Sequence, residues 1–246
     1  MEKTVSKKNI IIILLIILVL IICIFVLKSC NKNSGFLIID DYVIEYSNDG
    51  IKSANLDDIY DYKFKMIYDD SYIGDYIFDH IDDLNGRLFF KNEDGINALR
   101  TPLIGLDDNT GLVDYKIEDM NDDDFDLFVE TAGTRIDYKL SNLSYGKKAI
   151  IDDVKIYAVK YEGENEVDDY SLLFISKDNN TYVLDEDYPK RDNGGYLFYS
   201  FDIMYILDIN KDDKYELVVS KNYYDVTDYS IYELDNNFSE LYYTGK

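Results

Sequence analysis

Tyr60-Asp61-Tyr62-Lys63-Phe64-Lys65-Met66-Ile67-Tyr68 is the stretch on which the fold turns. Tyr60, Tyr62, Phe64, Met66 and Tyr68 fall on one side of an extended chain, and Asp61, Lys63 and Lys65 on the other. That period of two marks a strand with one face buried. Residues 135–140 repeat it through Ile136, Tyr138 and Leu140. Two hairpins are legible on either side: 42–46 turns back through Asn48-Asp49-Gly50, and 171–176 turns through Asp178-Asn179-Asn180 into 182–184. Asn, Asp and Gly supply the positive φ that such turns require. Further strands are expected at 87–90, 125–130, 154–161, 196–207, 215–220, 229–234 and 238–243. A short helix is expected within 70–85, where Tyr72, Ile73, Tyr76, Ile77, Phe78 and Ile81 follow a mixed period. Many short strands separated by turn residues predict a mainly antiparallel all-β domain, built as a propeller-like assembly, a sandwich or a barrel rather than a parallel α/β sheet. If that domain divides, the break is expected near 100–110, around Pro102 and Asp107-Asp108-Asn109.

Ahead of this domain, residues 10–27 form 18 consecutive positions with no charge, Pro or Gly. At helical rise they span about 27 Å, close to the hydrocarbon thickness of a bilayer. The run has no polar face, so it reads as a single transmembrane helix rather than a core helix. Lys3, Lys7 and Lys8 precede it and Lys28 and Lys32 follow, a bias that places the N-terminus in the cytoplasm. The organisation expected is a cytoplasmic tail 1–9, a membrane span 10–27, a tether 28–35 and an extracytoplasmic domain 36–246, single-pass in the cell membrane. Leu27-Lys28-Ser29-Cys30 resembles the bacterial lipoprotein box, with Lys28 departing from it, so a lipoprotein anchored at Cys30 is the minor alternative.

After residue 30 the chain carries 48 Asp and Glu against 21 Lys and Arg, a net charge of −27. Every nucleic-acid phosphate would be repelled, which excludes nucleic acid and acidic polymers as partners and favours polyvalent cations and basic surfaces. Cys23 lies inside the apolar run and Cys30 at its end, so no disulfide staples the domain. The richness in Ile, Lys, Asn, Asp and Tyr, with no Trp, matches an AT-rich bacterial genome.

One segment carries metal chemistry. Asp208-Ile209-Asn210-Lys211-Asp212-Asp213-Lys214-Tyr215-Glu216 places side-chain oxygens at positions 1, 3, 5 and 9 of a calcium loop, with the Lys214 carbonyl at position 7. Calcium is a hard cation that takes six to eight oxygens. Apolar runs at 203–207 and 217–219 flank the loop as strands would. The stretch resembles the FG-GAP and VCBS-type repeats of propeller and surface proteins, with Asp213 standing where those loops place Gly. That resemblance implies a surface binding or scaffold module with Ca2+ as a structural ion. A second, poorer copy is read at 119–129, where Asp119, Asn121 and Asp123 precede Leu127-Phe128-Val129.

His80 is the only histidine, and the chain has no His-Glu-x-x-His, no Gly-x-Ser-x-Gly and no phosphate-binding Walker loop. The function expected is a membrane-anchored binding or scaffold module with a protein or cell-wall partner, rather than an enzyme. The alternative is a cell-envelope hydrolase using a carboxylate pair, for which so many acids offer candidates that no single pair stands out.

Overall fold

The computed structural model describes residues 34–245 apart from 69–70, 83–85, 98, 100–102, 134–142, 163–168, 189, 193–194, 198, 224–225 and 236. The expected membrane span 10–27, Cys30 and the expected strand 135–140 lie outside the described residues. Among the described residues no helix is long and apolar enough to cross a membrane.

Short turns return each strand beside its predecessor, and every strand pair among the described residues is antiparallel. In chain order come β1 (Gly35–Ile39), β2 (Tyr42–Ser47), β3 (Gly50–Ser53), a 3-10 turn (Leu56–Ile59), β4 (Lys63–Tyr68), β5 (Ser71–Ile81), β6 (Leu88–Asn92), β7 (Gly95–Asn97) and β8 (Leu103–Leu106). There follow β9 (Thr110–Leu112), β10 (Lys116–Asp119), α1 (Asp122–Ala132), β11 (Leu143–Ile151), β12 (Val154–Tyr161), β13 (Tyr170–Lys177) and β14 (Asn180–Asp187). The chain closes with β15 (Lys190–Asp192), β16 (Gly195–Leu197), β17 (Ser200–Ile209), β18 (Glu216–Tyr223), β19 (Val226–Glu233) and β20 (Glu240–Tyr243). The N-terminal sheet has spatial order β3-β2-β1-β8-β4-β5-β6-β7, the middle sheet β10-β11-β12-β13-β14 and the C-terminal sheet β20-β19-β18-β17-β9, with β15-β16 a separate ribbon. Each sheet has two ends, so none closes into a barrel.

The C-terminal sheet is buried on both faces. Ile203, Leu217, Val219 and Tyr232 pack against Ala149, Ile156, Leu173 and Ile175 of the middle sheet. On the opposite face Leu207, Val218, Tyr229 and Ile231 pack against Leu37, Ile44, Tyr46 and Ile104 of the N-terminal sheet. Burial on both faces explains why Leu217-Val218-Val219 is an unbroken apolar run rather than an alternation. The far face of the middle sheet is covered by α1, whose Phe128 and Ala132 meet Tyr157, Tyr170 and Phe174. The far face of the N-terminal sheet buries Ile38, Phe64, Met66, Phe78 and Phe90 together with Ile59 of the 3-10 turn, and among the described residues no second sheet contributes. That face must coil over itself, and bulges between Met66 and Ile67 and between Phe78 and His80 provide the bend.

Four expectations are corrected. The strand read from Tyr60 begins at Lys63: Leu56–Ile59 is a 3-10 turn capped by Asn55, and Tyr60 is 52% exposed. The helix expected within 70–85 is β5, because pairing to β4 and β6 outweighs a mixed local pattern. The strand expected at 125–130 is α1; Asn121 caps it, its side chain accepting from Asp124 N while Asp124 accepts from Asn121 N, each at 3.0 Å. Asp124, Phe128 and Ala132 form its buried stripe. Finally, 100–110 is a joint and not a break. β8 lies between β1 and β4, and the buried Asp107 accepts from Phe36 N at 2.8 Å, Tyr46 Oη at 2.6 Å and Asn109 N at 2.9 Å before β9 crosses to the C-terminal sheet.

Candidate metal centre

The loop predicted to hold calcium joins β17 to β18. Both strands are anchored by the two cores, so the turn between them is held at one end of the C-terminal sheet. Asn210, Lys211 and Asp213 take positive φ of 76°, 51° and 63°. Asp213 therefore adopts the left-handed conformation that Gly usually provides, at a steric cost that Asp bears better than most residues. Lys211 Nζ donates to the Asp108 carbonyl at 2.6 Å and ties the loop to the β8–β9 corner.

The structure brings the predicted ligands into one turn but commits several of their oxygens to the backbone. Asp208 Oδ1 accepts from Asp212 N at 3.0 Å, Asp212 Oδ1 from Lys214 N at 3.1 Å, and Glu216 Oε2 from Ile209 N at 2.9 Å. Asn210 Oδ1 is the exception: it is buried and has no hydrogen-bond partner. Among the described residues no three His, Cys, Asp or Glu side chains converge as a metal's ligands.

The electrostatics of the turn are strained. Burial pushes the Glu216 carboxyl up to about 8, with Asp212, Asp208 and Glu233 adding to the rise against the single amide of Ile209. Burial also raises Asp208, against amide hydrogen bonds from Asp212 and Asp213, and the charges of those two residues add to the rise. Glu216 sits directly across the ladder from Glu233, a like-charge pair that destabilises a sheet. Glu233 is itself raised by a hydrogen bond with Asp235, by burial and by that neighbour's charge. Lys214 Nζ, 3.9 Å from Asp235, is exposed and offsets little of this. A divalent cation answers both features, an orphaned buried oxygen and a surplus of carboxylates. The residues that would hold it are Asp208, Asn210, Asp212, Glu216 and the carbonyl of Lys214, a hard-oxygen set that suits calcium in kind.

Glu233 and Asp235 were missed by sequence reasoning, because they reach the loop only through the β18–β19 pairing. The poorer copy at 119–129 is no loop: its Asn121 and Asp124 are spent on the cap of α1. Its Asn-x-x-Asp spacing is the signal that could have found the helix. His80 is exposed, bonded to Asp79 at 2.7 Å and stacked on Phe89 at 4.7 Å. A pocket of about 410 Å³ beside the β2–β3 hairpin carries Glu45 and Asp49, with Glu45 held by Lys52 at 3.1 Å. Comparison with protein-family models, with curated proteins and with solved structures returns no match.

Proposed function

We propose that this chain is a membrane-anchored, extracytoplasmic binding or scaffold module whose acidic domain is stabilised by calcium at the β17–β18 loop. The observation that carries the reading is Asn210 Oδ1, a buried acceptor with no partner among the described residues, in the same β17–β18 connection as Asp208 and Glu216, two carboxyls whose ionised forms burial disfavours. Residues 10–27 supply the membrane partner, and a charge of −27 after residue 30 directs the domain toward a basic protein or cell-wall surface and away from nucleic acid. The likeness of 208–219 to FG-GAP and VCBS-type loops supports the same assignment.

The test is proteolysis of intact cells carrying the full chain, using a protease that needs no calcium. The domain after residue 35 should be removed, and removal should slow when calcium replaces ionic-strength-matched sodium. An ion bound only in the native state lowers the open population about a hundredfold at a hundredfold excess over Kd. Asp208→Ala together with Asp212→Ala should abolish the difference. Protection of the domain while a known external protein is cut would overturn the topology. A calcium effect equal in the wild-type and doubly substituted chains would overturn the ion site.

A further inference from the structure

A Lys, an Asp and a Glu meet where α1 docks on the middle sheet. Lys148 Nζ lies 2.6 Å from Asp124 Oδ2, and the two side chains are each 6% exposed. Glu118 is the register partner of Lys148 across the β10–β11 ladder; its Oε2 lies 3.7 Å from the same Nζ, while its Oε1 pairs with Lys116. Tyr157 Oη donates to Asp124 Oδ1 at 3.0 Å, and the buried Tyr157 stacks on the buried Phe174 with ring centroids 4.6 Å apart.

We propose that Lys148 and Asp124 condense into an intramolecular amide, with Glu118 as the proton carrier. Asp124 begins as the carboxylate: burial works against that form, but the Asn121 amide, Lys148 and Tyr157 together hold its pKa below the ordinary range. Two charges kept out of water are costly, whereas the amide that replaces them is neutral, so burial that penalises the reactants favours the product. Fixing nucleophile and carbonyl in contact supplies the effective concentration that a condensation in water lacks.

The atoms balance without a co-reactant. Of the three ammonium protons, one remains on nitrogen, one crosses directly to Asp124 Oδ2, and one is carried by Glu118 from the attacking nitrogen to the same oxygen. The Nζ lone pair forms the bond to Asp124 Cγ, the Cγ–Oδ2 bond breaks, and water departs. Oδ1 stays as the amide carbonyl under the Tyr157 hydroxyl, and Glu118 returns to its starting state. No atom changes oxidation state. The product would tie the N-terminal turn of α1 to β11, a covalent staple in a domain that has no cysteine.

A second triad sets the contrast. Lys221 Nζ lies 2.6 Å from Asp185 and 3.2 Å from Glu240, but Asp185, the carboxylate that would react, is 31% exposed where Asp124 is 6% exposed, and the ammonium rests over the Tyr243 ring at 4.6 Å. Water and the aromatic face both favour the charged forms, so this triad stays an ion cluster.

The test is a tryptic map of the full chain, purified under denaturing conditions, read by mass spectrometry with fragmentation. A branched species joining 117–135 to 148–155, lighter by one water than its two peptides, should be found, while the peptides carrying Asp185 and Lys221 run separately. Lys148→Arg should lose the branch, and Glu118→Gln should lose it while keeping the Lys148–Asp124 contact. Recovery of 117–135 and a freely cleaved Lys148 as separate peptides from the wild-type chain would overturn the proposal, and that result does not depend on any variant folding. A water loss that persists in Lys148→Arg would assign it to dehydration elsewhere and overturn the proposal equally.

Discussion

Asp and Asn do at single positions what Gly does in most β-proteins. Seven of the non-glycine residues with positive φ among those described are Asp or Asn, the side chains that bear the left-handed region best. Asp40 shows how such a residue acquires a second task. At φ 50° it turns β1 into β2, while its carboxylate accepts from Leu103 N at 2.6 Å and from the Tyr229 hydroxyl, joining the N-terminal and C-terminal sheets. Burial raises its pKa, the bonds from Tyr229 and Leu103 oppose the rise, and Asp41 adds to it. A carboxyl with a raised folded pKa holds its proton to higher pH than the unfolded chain does, so stability falls as pH climbs from the ordinary Asp value through the raised one. Asp40→Asn should remove that segment of the pH profile and, since Asn keeps an acceptor and tolerates the turn, leave the rest unchanged. Asp40→Ala should cost about 1–3 kcal/mol, because it orphans a buried hydroxyl and an amide. Chemical denaturation across acid pH checks both, and equal profiles for wild type and Asp40→Asn would show that Asp40 titrates normally.

The hairpin β13–β14 was legible because a two-residue turn obeys local rules. Asp178 and Asn179 take φ of 51° and 61°, the paired positive values of a type I′ turn, and Lys177 faces Asn180 across it. Asn179→Val should cost about 1–2 kcal/mol, since a β-branched side chain clashes in that region, whereas Asn179→Gly should be neutral or stabilising. A thermal melt in which Val and Gly behave alike would mean the turn rearranges. The segment 125–130 failed as a strand for a different reason. Phe125, Leu127 and Val129 do alternate, but an acidic first turn with a capping box starts a helix regardless. At 71–81 the reverse holds: Tyr76 and Phe78 face inward at a spacing of two, and ladders on both sides decide in favour of a strand.

Across the whole molecule, the stack runs from α1 through the middle and C-terminal sheets to the N-terminal sheet, and the C-terminal sheet belongs to both interfaces. Leu217 and Ile231 lie on its opposite faces, each fully buried. Leu217→Ala and Ile231→Ala should each cost about 2–5 kcal/mol. Because one sheet closes both cores, either substitution should shift a single transition seen alike by tyrosine fluorescence and far-ultraviolet circular dichroism. Two separated transitions in either variant would show that the layers unfold independently.

Strand pattern, turn chemistry and charge are local or additive, and residues 34 to 246 displayed them before any folding: the alternation at 63–66, the turns at Asn48-Asp49 and Asp178-Asn179, and the excess of acids. The turn between β17 and β18 was legible too, down to the left-handed Asp213, because apolar runs flanking a cluster of Asp and Asn are a property of consecutive residues. What only the tertiary structure decided involves residues far apart in sequence. Pairing of β18 with β19 set Glu233 against Glu216, and packing of three sheets made Leu217-Val218-Val219 apolar on both faces. The β10–β11 ladder and the docking of α1 brought Glu118, Asp124 and Lys148 together. A one-dimensional pattern specifies which face of a strand is buried, but which surface buries it depends on how sheets stack, and that is settled by the summed free energy of the whole core.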